Sequence, residues 1–366
     1  MKQGVTMRVR DIPLGAGAIA LGLLILVLSP RSIATARRPT GPAGFIATDP
    51  DFPIWEWHGI NACNEMHADV VYNWSQDEYL VVFDWDLNDT GDHDIMAVTV
   101  SADGQAAMSP FSVAYDAAYD DSHPAIARNP YGDNYLVVWQ RRVGSGDYNI
   151  YGKIITHSYG AGTEFLIAGY LDDQLYPDVA YATASHHYLV VWEDHDSTLT
   201  APPDVRGRCV DQDGTLLPVL DVGSASAGQY SPSLATNAFN YHWLVAWKDM
   251  GSGEADIYGR EVSSVGSCSL PSTDFVISDQ AGYSYDAPAV GWAQVDPLVS
   301  AYGEFLVVWP ESGNMLAQRV EGEDYSLLGD LITVSDFDSS KYEPAVVFAT
   351  ERKEWWVVWE DDRYFG

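Results

Sequence analysis

A short apolar segment ending in an aromatic residue recurs along most of this chain and limits what it can fold into. Leu-Val-Val-Trp occurs at 136–139, 189–192 and 306–309, and close variants occur three more times. The aromatic residues that end the six segments lie 56, 53, 55, 62 and 50 residues apart. They are Phe83, Trp139, Trp192, Trp247, Trp309 and Trp359. A period near 50 residues with this regularity is typical of a repeat architecture.

Other features recur in phase with these aromatic residues. In four copies a proline stands 15 residues before the tryptophan; the first copy has Ala68 there, and in the fifth an insertion at 296–301 moves Pro288 further away. Each apolar segment is followed by a motif resembling Asn-Ile-Tyr-Gly, as at 149–152 and 256–259. A final apolar segment closes each complete repeat. The five complete repeats therefore contain four short segments in the same order.

The composition of these segments predicts β-strands. Val, Ile, Tyr and Trp dominate them, and no helical period of 3.6 residues competes. Asp-Gly pairs at 103–104 and 213–214 fall between the third and fourth segments, where they indicate tight hairpins. Four antiparallel strands in about 50 residues form one blade of a β-propeller. We therefore expect an all-β propeller of four-stranded antiparallel blades; a solenoid of hairpins remains the structural alternative.

The order of these features also resembles a known family. A proline before the inner strand, an apolar second strand and an Ile-Tyr-containing third strand make residues 44–366 similar to TolB-type and WD-like bacterial β-propellers. Trp74-Ser75-Gln76-Asp77 stands where that family carries a Ser-Pro-Asp-Gly turn. The resemblance implies the propeller fold and no particular activity.

Five complete repeats begin near residues 67, 123, 176, 231 and 287, and a sixth begins at Glu343. The sixth stops after its second segment, and residues 44–49 read like a fourth strand that could close the same blade. Because a propeller does not leave such strand edges unpaired, we expect the sequence to be truncated at its C-terminus. Residues 67–366 are assigned to the propeller and 37–66 to an N-terminal segment.

The first 36 residues have the pattern of an export signal. Basic residues precede an apolar run at 12–29, and Ala34-Thr35-Ala36 matches a cleavage site. We expect an exported protein that is extracellular, on the cell surface or periplasmic. The apolar run is also long enough for an uncleaved membrane anchor, which would be the only contact with a membrane.

The charge of the chain excludes one class of partner. Asp and Glu total 52 against 19 Lys and Arg, a formal net charge of −33. Such a surplus repels nucleic acid phosphates, so we expect an extracellular protein or glycan as the partner. Alternatively, the acidity serves only to keep an exported protein soluble.

Three cysteines allow at most one intramolecular disulfide. Cys209 falls late in the third strand of one predicted blade, and Cys268 falls in the following blade's turn between strands three and four. Both should lie towards the same face of adjacent blades, so a disulfide between them is possible.

One loop is a candidate calcium site. Residues 84–94 alternate Asp or Asn with other residues, and such oxygen atoms can surround a hard cation. The expected ligands are Asp84, Asp86, Asn88, Asp92 and Asp94. The alternative is a solvated turn whose carboxylates bind local backbone N–H groups. No other cofactor is indicated.

The start of each first strand is a candidate catalytic or metal site. The residue at this position is His67, His123, Tyr176, Ser231, Ala287 and Glu343 in successive blades. If the sixth blade adjoins the first, Glu343, His67 and His123 lie at one level of the central channel, where they could bind a metal or act as acid and base. Asp69 and Asp178 could point into the same channel. Alternatively, these are polar residues satisfied by water and backbone.

Two functional hypotheses follow. The first is a non-catalytic secreted or surface propeller that binds a protein or glycan through its acidic loops. The alternative is an extracellular hydrolase or lyase that acts on polysaccharide with carboxylates around the channel. The sequence contains no sialidase-type Asp-box and no Gly-x-Ser-x-Gly motif. The fold alone does not decide, since propellers carry both functions.

Overall fold

All regular structure that we describe is β-strand. The computed structural model describes residues 63–361 except for 88–90, 103–108, 117, 145–146, 157, 171, 196–201, 224–227, 252, 254, 280–286, 295–300, 337–339 and 351. These residues contain no helix long and apolar enough to cross a lipid bilayer. The predicted signal at 1–36 and the predicted closing strand at 44–49 lie outside the described residues.

The strands form five four-stranded antiparallel sheets and one two-stranded sheet. The first blade contains β1 (Cys63–Asn73), β2 (Glu78–Leu87), β3 (His93–Ser101) and β4 (Phe111–Ala114). The second contains β5 (Asp120–Asn129), β6 (Asn134–Val143), β7 (Asp147–Thr156) and β8 (Ala161–Ala168). The third contains β9 (Gln174–Ala182), β10 (His187–Asp194), β11 (Asp204–Asp211) and β12 (Leu216–Gly223).

The fourth blade contains β13 (Gln229–Asn237), β14 (His242–Asp249), β15 (Asp256–Ser263) and β16 (Phe275–Ser278). The fifth contains β17 (Ala289–Ala293), β18 (Glu304–Glu311), β19 (Asn314–Glu321) and β20 (Leu327–Ser335). The partial sixth contains β21 (Lys341–Ala349) and β22 (Glu354–Asp361). Each first strand packs against the first strand of the next blade, in the order β1, β5, β9, β13, β17 and β21. The predicted propeller of five complete blades and a partial sixth is confirmed.

In blades two to five the second strand is sandwiched between two neighbouring blades, which explains the Leu-Val-Val-Trp repeat. In β6, Leu136 and Val138 pack into the core shared with the third blade. Val137 and Trp139 point the other way, into the core shared with the first blade. Because side chains alternate across a strand, a strand covered on both faces has to be apolar at every position.

The tryptophans of the complete blades are buried as predicted. Trp139, Trp192, Trp247 and Trp309 are each 0% exposed. Trp359 is only partly buried, since just two strands of its blade are described. Each buried tryptophan packs against the second strand of the preceding blade; Trp192, for example, shares a core with Leu136 and Val138.

Five of the six first strands share a bulge at the residue that we expected to start each repeat. We call His67, His123, Tyr176, Ser231 and Glu343 the bulge residues, and all five have left-handed backbone conformations, with φ between 44° and 53°. Ala287, at the same position of the fifth repeat, lies before β17 and is not one of them. The pairing of β1 with β2 shifts register between Met66 and Asp69, at the bulge. Strand β1 therefore begins upstream of the predicted start at residue 67, because pairing resumes on the other side of the bulge.

The backbone N–H of a bulge residue is bound by the preceding blade. His123 N–H donates to the Asp84 carboxylate at 3.1 Å, and Tyr176 N–H donates to the side-chain oxygen of Gln140 at 2.9 Å. Ser231 N–H donates to the Glu193 carboxylate at 3.0 Å. Asp84, Gln140 and Glu193 each directly follow the aromatic residue of a second strand. We call them the cap residues.

A second set of contacts between blades comes from the third strands. A basic residue follows the glycine of the Asn-Ile-Tyr-Gly-like motif and reaches a carbonyl oxygen on the outer strand of the preceding blade. These contacts are Lys153 to Val113 at 2.6 Å, Arg208 to Ile167 at 2.7 Å and Arg260 to Val222 at 2.9 Å. Such charge-assisted bonds are stronger than those between neutral groups, so these residues tie blades one to four in series.

A disulfide joins the third blade to the fourth. Cys209 on β11 pairs with Cys268, which lies between β15 and β16, and their Cα atoms are 6.4 Å apart. The disulfide that the sequence left open is confirmed. The two cysteines are 59 residues apart in the sequence. The disulfide spans the same blade boundary as the hydrogen bond from Arg260 to Val222.

We expect Arg208→Met to destabilise the protein by about 1–3 kcal/mol, because hydrogen bonds to a charged donor contribute about this much. The substitution keeps the aliphatic stem but leaves the carbonyl oxygens of Ile167 and Leu217 without their donor. Urea unfolding measures the effect. Arg142→Met is the control, since Arg142 is exposed and its loss should change the free energy of unfolding by less than about 0.5 kcal/mol.

We expect replacement of Cys209 and Cys268 by alanine to lower the free energy of unfolding by about 2–4 kcal/mol, because the reduced unfolded chain gains conformational freedom. Urea unfolding without reductant measures the loss, and Cys63→Ser, which leaves the disulfide intact, should show none of it. Three reactive thiols in the unfolded, unreduced wild type, instead of one, would contradict the disulfide.

Candidate functional site

Two histidines from neighbouring blades meet one carboxylate at the end of the channel where the first strands begin. His67 Nδ1 lies 2.7 Å from Asp84 Oδ2, and the same oxygen accepts the backbone N–H of His123. The two imidazole rings stack with their centroids 3.7 Å apart. Tyr176, the next bulge residue, meets the His123 ring edge-on at 5.0 Å. We call His67, Asp84 and His123 the channel cluster.

The repeat brings these three residues together. His67 and His123 occupy the same bulge position in the first and second blades, so they lie at one level around the axis. Asp84 is the cap residue between them, 39 positions before His123. The cluster therefore depends on the alignment of two blades and on no local sequence motif.

The cluster contains polar atoms whose hydrogen bonding is incomplete. Asp84 is 0% exposed, and its Oδ1 atom is buried without a hydrogen-bond partner among the described residues. Nδ1 of His123 is also buried and lacks a hydrogen-bond partner among the described residues. Buried polar atoms are nearly always paired with protein or bound water, so these are the two atoms of the cluster that a bound water or ligand would satisfy.

Electrostatics distinguish the histidines around the cluster. Burial, reinforced by the neighbouring His67, lowers the pKa of His123 to about 4, so its ring is neutral at pH 7. A second imidazole–carboxylate pair lies at the same blade boundary, where His93 Nδ1 is 2.9 Å from Asp120. That hydrogen bond raises the pKa of His93.

The structure separates the other residues predicted for the channel site. Glu343 has the left-handed conformation of a bulge residue but is not part of the channel cluster, the one metal-competent group formed by the described residues. Asp69 accepts the N–H of Val70 at 2.7 Å and that of Ile126, in the next blade, at 2.8 Å. Asp178 does the same with Val179 and Leu234, at 2.8 and 3.0 Å. Both aspartates link first strands of adjacent blades.

Asp69 and Asp178 are enclosed within the channel, and this raises their pKa values. Removal from bulk water raises the pKa of Asp69 to about 6, against the effect of its two backbone hydrogen bonds. Desolvation and then the charge of Asp69 raise the pKa of Asp178 to about 7. The two carboxyl groups therefore interact within the channel.

The residues predicted to bind calcium lie in different surroundings. Asp84 faces His67 and His123, whereas Asp86 accepts the N–H of Gly91 at 2.8 Å, as in a local turn. Burial raises the pKa of Asp94 to about 6. Asn88 lies outside the described residues, and calcium binding by this loop stays a prediction.

Sequence reasoning missed the place of Asp84 in the channel. Its position inside an Asp-rich run drew it into the calcium hypothesis, although it also directly follows Phe83. Alignment with Gln140 and Glu193 was the available signal, since all three follow the aromatic residue of a second strand. The structure shows why that position matters, because it faces the bulge of the next blade.

The comparisons with known proteins show the fold. No protein-family model matches the chain, and no curated protein sequence matches it. Among solved structures, the Hadza microbial sialidase Hz136 is similar with a TM-score of 0.55 at 9% identity, over 78% of this chain and 61% of that one. The NanB sialidase of Streptococcus pneumoniae gives 0.54 at 8% identity, covering 87% and 68%. The GH93 α-L-arabinofuranosidase of Fusarium graminearum gives 0.52 at 11% identity, covering 82% and 93%.

These neighbours correct the order of our two functional hypotheses. All three are glycosidases, so the non-catalytic binding module that we expected first is wrong as the leading interpretation. The chain spans 61% of the length of Hz136. The three neighbours support the predicted propeller fold, but none of them is named as a TolB-type or WD-like protein. At such identities the likeness establishes that the chain has a β-propeller fold.

The raised pKa of Asp178 predicts a pH dependence of stability. Between about pH 4 and pH 7 the native state keeps a proton that the unfolded state has lost, so this group's contribution to stability falls as pH rises through that range. We expect Asp178→Asn to remove this fall. Urea unfolding of wild type and variant at pH 4, 5.5 and 7 tests it, and a difference in stability that stays constant with pH would contradict it.

Proposed function

We propose that this protein is a hydrolase that acts on polysaccharide, with its reaction centre at the channel cluster. The observation that carries the proposal is the buried Asp84 carboxylate. Its Oδ2 is bound by the ring of His67 and the backbone N–H of His123, and its Oδ1 has no hydrogen-bond partner among the described residues. The propeller fold, which the glycosidase neighbours share, supports it. Asp69 and Asp178 are less suited to catalysis, since backbone N–H groups occupy both oxygens of each.

The Asp84–His67 pair has the geometry of an acid–base couple. Asp84 binds His67 at Nδ1, so Nε2 is the ring atom left to accept a proton from water. A carboxylate in this position fixes the imidazole tautomer and stabilises the imidazolium that forms. The side chain of His67 is 28% exposed while that of Asp84 is 0% exposed. A water molecule or substrate hydroxyl can therefore reach the histidine without reaching the carboxylate behind it.

Charge favours hydrolysis over elimination. A lyase needs an acidic C–H beside a carboxylate of its substrate, so its substrates are polyanions. A chain with a formal net charge of −33 repels polyanions. A neutral or cationic polysaccharide is therefore the expected substrate. An extracellular polymer of this kind would agree with the export signal predicted at 1–36.

We expect the purified chain to release reducing ends from at least one member of a panel of neutral and cationic polysaccharides. His67→Ser and Asp84→Gln should each lower the rate at least 100-fold, because a positioned general base contributes about 10²–10⁴. Both variants introduce a residue that occurs at the equivalent position of another blade, since Ser231 is a bulge residue and Gln140 is a cap residue. The fold should therefore tolerate them.

His195→Ala is the matched control, because His195 also binds a carboxylate, that of Glu193 at 2.5 Å, outside the cluster. It should retain the wild-type rate. The proposal fails if the wild type cleaves no polysaccharide of the panel, or if the cluster variants are as active as the wild type while folded.

A further inference from the structure

We propose that His67, Asp84 and His123 bind a divalent transition-metal ion, with Zn²⁺ as the best match. One ligand atom from each of the three residues can be chosen so that all lie within 4.8 Å of one another. The inference rests on this geometry and holds whether or not the proposed hydrolysis is correct.

The unpaired atoms of the cluster are the atoms that a metal needs. Asp84 Oδ1 and His123 Nδ1 are buried and have no hydrogen-bond partner among the described residues. A carboxylate oxygen and an imidazole nitrogen are both ordinary Zn²⁺ ligands. His67, held against the same carboxylate at 2.7 Å, supplies the third.

The other blades show that the fold does not require His67, Asp84 and His123 at these positions. The N–H of a bulge residue is bound equally well by Gln140 or Glu193. Tyr176, Ser231 and Glu343 adopt the same left-handed backbone as the two histidines. The propeller fold therefore does not require histidine at the bulge or aspartate at the cap position. Two histidines and an aspartate occur together at the boundary between the first and second blades, and the needs of the fold do not explain this combination.

The donor set selects the kind of ion. Two imidazole nitrogens and one carboxylate oxygen suit Zn²⁺ and its neighbours among the late first-row metals. Calcium takes six to eight oxygen ligands, so this site is distinct from the predicted calcium loop. The stacked rings would have to turn about their side-chain torsions, until their nitrogens lie about 2.0–2.1 Å from the ion.

Three protein ligands leave a fourth position for water. Zinc in such a site lowers the pKa of its bound water to about 7. If the proposed function is also correct, this water would be the nucleophile, and it would not need His67 as its general base because its proton would already have been lost to solvent on ionisation. Its oxygen would bond to the anomeric carbon, the glycosidic C–O bond would break, and the leaving oxygen would take up a proton, which balances the one released.

Metal binding can be measured without any substrate. The full-length protein is freed of metal with a chelator, dialysed and titrated with Zn²⁺ by calorimetry. We expect one equivalent to bind, and His67→Ser, His123→Ser and Asp84→Gln each to weaken binding by more than about 100-fold, beyond the loss typical for an outer-shell partner. His195→Ala should bind as the wild type does.

A second measurement does not depend on the variants folding. Co²⁺ added to the wild type should give visible absorption of a four-coordinate site, and Zn²⁺ should abolish it. An octahedral Co²⁺ spectrum, no stoichiometric Zn²⁺ binding, or equal Zn²⁺ affinity in folded cluster variants overturns the metal site. Metal binding without glycan cleavage removes only the proposed function, and cleavage by a protein that binds no metal removes only the metal site.

Discussion

The left-handed bulge of five first strands, whose N–H is bound across the blade boundary at three of them, is the constraint on which the candidate site and much of the blade packing depend. A non-glycine residue in this conformation is strained, and an unpaired buried N–H is costly. A cap residue from the preceding blade supplies the missing acceptor at three successive boundaries. The bulge therefore ties strand geometry to blade order.

This constraint also explains how a site can arise without disturbing the fold. The same left-handed backbone is kept while the side chain at the bulge varies from histidine to tyrosine, serine or glutamate. At three boundaries the cap position carries Asp, Gln or Glu, each with an oxygen that reaches the next bulge. Asp84 does this with Oδ2, while its Oδ1 has no hydrogen-bond partner in the part of the chain that the structure describes. One residue thus serves both the fold and the candidate site.

The distribution of charge follows from the same architecture. Only 19 basic residues face 52 acidic ones, and several of the basic residues are used inside the protein. Lys153, Arg208 and Arg260 bind carbonyl oxygens of the preceding blade. Arg141 is buried in a bidentate pair with Asp121. Cations that bind carbonyl oxygens between blades cannot neutralise carboxylates elsewhere, so the negative net charge is not offset by these residues.

The sequence by itself determined the blades, their order and their core, because these depend on periodic patterns within each repeat. The alternation in Leu136–Trp139 is the direct consequence of a strand covered on both faces, and the phase of His67 and His123 placed them at one level. The tertiary structure decided which acid joins them. Asp84 and His123 meet 39 residues apart, through a hydrogen bond that exists only when two blades are packed, whereas Glu343 occupies the same phase without joining the cluster. A repeat pattern fixes position within a blade, but contacts between blades depend on the three-dimensional alignment of side chains that no local period encodes.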